Sequence, residues 1–85
     1  MKHNFKLGDI VRHLGSSTIG VITSTFGSLS ADVKVLWAHS GHVQNIEVFL
    51  HLEHITEEEI ALGVLANDER FKWAIDWSRY IRLPQ

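Results

Sequence analysis

Six histidines in 85 residues are the first candidates for chemistry, and two pairs of them are spaced i, i+3: His39 with His42, and His51 with His54. A metal ion needs three or four ligands converging at about 2.0–2.2 Å, and His with Asp or Glu could supply them. In an extended strand, positions i and i+3 point to opposite faces, so His51 and His54 are expected to diverge. His39 and His42 flank a turn and could converge, but two ligands do not make a site. No metal and no other cofactor is expected on this pattern.

Catalytic constellations are equally hard to assemble. Ser16, Ser17, Ser24, Ser28, Ser30 and Ser40 sit in glycine-rich or polar stretches that turn chemistry explains, with no G-x-S-x-G elbow among them. The adjacent carboxylates Glu57, Glu58 and Glu59 follow Thr56 and precede an apolar run, the signature of a helix start rather than of an acid–base pair. "HLGSSTIG" leads into a strand and carries no lysine, so it does not read as a phosphate-binding loop. The expectation is a non-catalytic protein with no catalytic residue.

Binding is better provided for. The last sixteen residues, "RFKWAIDWSRYIRLPQ", hold two of the three tryptophans and the only tyrosine. On a 3.6-residue wheel, Ala74, Trp77 and Ile81 share one face, Trp73 and Tyr80 flank it on one side, and Phe71 and Ile75 extend it on the other. Glu69, Lys72, Asp76 and Arg79 fill the remaining strip at spacings that allow pairing. An apolar arc this wide exceeds the roughly 100° that one packed face needs. Either the preceding helix and the β-domain bury all of it, or an edge stays open to dock on another chain. Trp and Tyr suit the second role because they bring large area for few rotamers. The expected protein-binding set is Trp73, Trp77, Tyr80 and Ile81, with another protein or a second copy as partner.

The alternative from a different class is nucleic acid. Lys6, Arg12 and Lys34 could gather on one face with Lys2, His3 and His13, and Trp37 or Phe5 could stack a base. Against this, the four Lys and Arg of residues 1–55 are offset by Asp9, Asp32, Glu47 and Glu53, and residues 56–85 carry six acidic and four basic groups. Trp37 itself has two readings. It is in phase with Val33 and Val35, as a core residue would be, or it is a rim aromatic that grips a ligand.

The elements that must position these residues are short strands followed by helices. "DIVRHLG" alternates after the Gly8-Asp9 turn signal, "STIGVITSTFG" is β-branched between glycine-rich turns, and "DVKVLWA" puts Val33, Val35 and Trp37 on one face. Ser40-Gly41 in "HSGH" is a tight turn, "VQNIEVF" a fourth strand, and "HLEHI" a last one with Leu52 and Ile55 inward. At Thr56 the period changes: Thr56 and Glu59 form a capping box, with Ile60 and Val64, joined by Ala61 and Leu65, on the buried side and Gly63 weakening the helix. Asn67 is a second N-cap, and a last helix from about Asp68 to Arg82 is expected to stop at Pro84.

The bulk composition bounds the rest. With 45% hydrophobic and 21% charged residues the chain is of the globular class, and a net charge of −2 gives no global pull toward nucleic acid or an anionic membrane. Eighty-five residues form one expected domain, 1–85, whose small core leaves every large aromatic with structural work to do. The lack of cysteine excludes disulfides and thiolate sites. "MKHNFKLGDIV" lacks the apolar run of a signal peptide and nothing is long enough to span a bilayer, so a cytoplasmic setting without membrane contact is expected.

The succession "KLGDIVRH", "IGVITS", "VKVLW", a glycine turn and "LEHI" resembles the SH3-like small barrels, including the KOW and Tudor-like groups, over about residues 5–55. The resemblance implies a mainly β fold, an SH3-like small β-barrel of four to five strands at 5–55, followed by two helices at 56–83 that pack on the barrel or a partner. It implies fold more than task, since such barrels host many unrelated functions. The pattern is also similar to small proteins of tailed bacteriophages, which implies either a virion component or an effector that binds a host protein. All of this converges on a non-catalytic protein-binding or assembly module.

Overall fold

The alternating and β-branched stretches form strands β1 (Ile10–His13), β2 (Ile19–Thr25), β3 (Asp32–Trp37), β4 (Val43–Glu47) and β5 (Leu52–His54). Helices α1 (Val48–His51), α2 (Glu57–Leu65) and α3 (Glu69–Arg82) complete the computed structural model, which describes residues 2–83. The expected stop at Pro84 lies outside the described residues. Neighbouring strands are antiparallel, and the sheet order is β4-β3-β2-β1-β5.

β2 is central, and its residues "IGVI" are buried on both faces of the sheet. Gly20 and Ile22 belong to one side, where Val11, Val33, Val35, Trp37, Val48 and Leu52 form the first core cluster. Gly20 sits between Val11 and Trp37 in the ladder, and a methyl group there would stand 2.8 Å from the Trp37 ring. Ile19 and Val21 belong to the other side, where Ile55 meets Phe71 and Ala74 of α3 in a second cluster. Trp37 is 2% exposed, so the in-phase core reading is the right one. A register shift between Ile22 and Ser24 bends β2 at Thr23.

Barrel closure does not occur. The sheet is open, with β4 and β5 as its two edges, because the chain between them is a single helical turn rather than extended strand. "VQNIEVF" stops being a strand at Glu47, whose side chain accepts a hydrogen bond from Leu50 N at 2.9 Å and so caps α1. Val48 is driven into the first cluster, and His51 O meets Leu14 N beyond the end of the β1–β5 ladder.

α2 starts as its capping residue dictates, with Thr56 Oγ1 accepting from Glu59 N at 3.1 Å. The Glu59 carboxylate does not turn back to complete the box; it lies on Arg12 instead. The expected buried side also differs. Ala61, Val64 and Leu65 are exposed, and Gly63 is the buried residue of the helix. A methyl group on Gly63 would overlap the Phe71 ring, so the glycine is what lets α3 approach α2. Asn67 is not an N-cap. It adopts φ 56° in the left-handed region and ends α2, while Asp68 caps α3 by accepting from Arg70 N at 3.0 Å.

Candidate protein-binding face

Three polar contacts spread along α3 fix which side of it faces out. Near the start, Arg70 Nη1 donates to Ser17 O at 2.8 Å, on the connection between β1 and β2. In the middle, the buried Ser78 hydroxyl donates to Gly8 O at 2.6 Å. In the last turn, Arg82 Nη2 donates to Asp9 Oδ1 at 2.8 Å. Between these, Phe71 and Ala74 enter the second core cluster with Trp73 and Ile81 packed at its margin.

With Phe71, Ala74 and Ser78 turned inward, the aromatic edge is displaced outward. Trp77 is 39% exposed and Tyr80 67%. Their rings meet edge to face with centroids 5.5 Å apart at 82°, and the half-buried Trp73 lies 6.5 Å from Trp77. Asp76, Trp77 and Tyr80 line a shallow depression of about 280 Å³. Of the four residues singled out from the sequence, Trp77 and Tyr80 present their rings to solvent, whereas Trp73 and Ile81 are half-buried against the sheet. The side chains of Asp76 and Arg79 make no ion pair or hydrogen bond among the described residues, and Lys72 reaches Glu69 only at 4.0 Å.

Arg12 Nε donates to Glu53 Oε1 at 2.8 Å, and its Nη1 and Nη2 donate to both oxygens of Glu59 at 2.8 and 3.2 Å. These bonds raise the Arg12 pKa above its usual value and lower that of Glu59, so the guanidinium is held by two carboxylates. Trp37 is buried and cannot stack a base, and Phe5 is stacked on His54 at 4.3 Å. Lys6 and Lys34 remain exposed, with Lys34 Nζ 6.0 Å from the Phe26 ring.

Four of the six histidines take structural partners. His51 stacks on His13 at 5.4 Å, His54 Nε2 lies 2.8 Å from Asp9 Oδ2, and buried His3 bonds Gly27 O at 3.1 Å. Among the described residues, no three His, Asp or Glu side chains gather around one point. Asp9, His54 and Ser78 line one depression of about 230 Å³, a grouping that sequence spacing had not brought together. It is not an activated nucleophile. Ser78 gives its proton to the Gly8 carbonyl, and Asp9 is shared by His54, Arg82 and Lys6 N, so the group ties three parts of the chain to each other.

No helix among the described residues is long and apolar enough to cross a membrane. Compared with protein-family models, curated proteins and solved structures, the chain finds no match.

Proposed function

We propose that this chain is a non-catalytic protein-binding or assembly module and that its contact surface is the outer edge of α3. One observation carries the reading: Trp77 and Tyr80 stand at the surface as an edge-to-face pair on a helix whose other side is anchored at Arg70, Ser78 and Arg82. A rigid, half-desolvated aromatic pair on a fixed helix loses little freedom when a partner covers it, which is how Trp and Tyr come to dominate interfaces. Trp73 and Ile81 support the edge from below.

The strand order β4-β3-β2-β1-β5, with one helical turn joining the two edges, supports placing the sheet among SH3-like folds whose seam is left open. The phage setting implied by the sequence pattern, as virion component or host-directed effector, is a role of protein contact in either form. With Arg12 held by Glu53 and Glu59, Trp37 buried and Phe5 stacked on His54, the alternative nucleic-acid face draws less support than the α3 edge.

The test is the solution mass by light scattering of the wild type beside a Trp77→Ala, Tyr80→Ala variant, each with a thermal melt. The expected result is an associated wild type and a folded monomeric variant melting within about 8 °C of it. An associated wild type whose variant keeps the same mass, or a monomeric wild type whose variant loses its fold, would overturn the reading.

A further inference from the structure

The charged row beside the aromatic edge has a symmetry of its own. Glu69, Lys72, Asp76 and Arg79 are separated by three, four and three residues, and their signs alternate from negative to positive. Read backwards, the spacing is unchanged and every sign is reversed. A second helix laid antiparallel on this row, with a two-fold axis level with Ala74, therefore meets each charge with its opposite. Glu69 faces the second copy's Arg79, and Lys72 faces the second copy's Asp76. A parallel pair in register would set like against like.

From this we propose that the partner of the α3 edge is a second copy of this chain, docked antiparallel in an isologous dimer. The proposal rests on the protein-binding reading above and names its occupant. A two-fold interface requires a surface that complements itself, and this row does so in one direction only. Its groups reach solvent, and Lys72 Nζ pairs outward by leaving Asn67 Oδ1, to which it donates at 3.2 Å, and Glu69 at 4.0 Å. Glu69 and Lys72 side chains are 87% and 43% exposed, and Asp76 and Arg79 are exposed and without ion partners among the described residues. Successive helical residues turn by about 100°, which places Trp73 and Tyr80 between Trp77 and the charged row. About a two-fold perpendicular to both helices, aromatic edge then meets aromatic edge while charged row meets charged row. Apolar contact supplies the attraction and the charges set direction and register.

Charge reversal with rescue tests this. In an Asp76→Lys homodimer, the new lysine faces Lys72 of the other copy; in a Lys72→Glu homodimer, the new glutamate faces Asp76. Each variant alone is expected to weaken dimerisation by about tenfold or more, read by sedimentation across a concentration series. An equimolar mixture of the two is expected to recover a one-to-one dimer of wild-type affinity. Circular dichroism of each variant confirms that it is folded. Dimers that ignore both reversals, or a mixture that fails to recover, would overturn the antiparallel register. If Trp77→Ala, Tyr80→Ala still gives a folded monomer in that case, the aromatic edge survives as a contact surface and only the second-copy arrangement falls. A wild type monomeric at every concentration overturns the second copy as partner. The contact reading itself falls if an associated wild type keeps its mass in the aromatic variant, or if a monomeric wild type loses its fold in that variant.

Discussion

Arg82 donates Nη2 to Asp9 Oδ1 at 2.8 Å across 73 residues of sequence, fastening the last turn of α3 to the first turn of the chain. His54 of β5 takes the other Asp9 oxygen, and Lys6 N donates to that oxygen as well. Gly8 stands under the Arg82 side chain with φ +85°, and a methyl group there would lie 2.6 Å from Arg82 Cγ. Removing Asp9 leaves several donors without a partner, whereas removing Arg82 loses one ion pair and a long hydrogen bond to Leu7 O at 3.4 Å.

Asp9→Ala is accordingly expected to cost about 1–3 kcal/mol in urea unfolding, and Arg82→Ala no more than about 1 kcal/mol. Equal losses from the two would mean that the Arg82 contact, and not the shared carboxylate, holds the helix end.

Gly63→Ala should destabilise the protein even though alanine is the better helix former by about 1 kcal/mol. The added methyl group meets the Phe71 ring, and overpacking of this kind costs about 1–3 kcal/mol. A raised melting temperature for the variant would show that α2 and α3 can separate at no cost.

Acid should loosen the contact between β1 and α2. The Arg12 guanidinium holds the Glu59 carboxyl below its ordinary pKa, and Arg70 does the same for Asp68. A lowered folded-state pKa means that the stabilisation is complete above the unfolded-chain value of about 4 and is lost as pH falls through the lower folded value. Melting temperature is expected to drop as the solution is acidified below about pH 4, and less steeply for Glu59→Gln than for the wild type. Identical acid limbs for the two proteins would count against this assignment.

Ending the chain after Ile55 should leave a sheet that does not fold cooperatively. Ile19, Val21 and Ile55 would lose Phe71 and Ala74, and the exposed apolar face would favour aggregation. A soluble 1–55 fragment with a sharp melt would show that α3 contributes little to the sheet.

The strands were legible because their information is local. Alternation and turn glycines placed β1 to β5 within a few residues, and Val33, Val35 and Trp37 shared a face as their period of two requires. The capping residue Thr56 marked α2 for the same reason. The helical turn α1 was not legible, since Val48 and Phe49 favour strand and Glu47 is an unusual cap.

Sequence by itself thus determined a mainly β chain with two terminal helices and an aromatic last helix, because period, propensity and caps act between residues a few positions apart. Only the tertiary structure decided that the sheet stays open, that Gly63 rather than Val64 or Leu65 is the buried residue of α2, and that Trp77 and Tyr80 face outward. The rotation of α3 about its axis comes from partners far away in sequence: Ser17 for Arg70, Gly8 for Ser78 and Asp9 for Arg82. A helical wheel gives the angles between side chains but no origin from which to measure them, and contacts with the rest of the fold supply that origin.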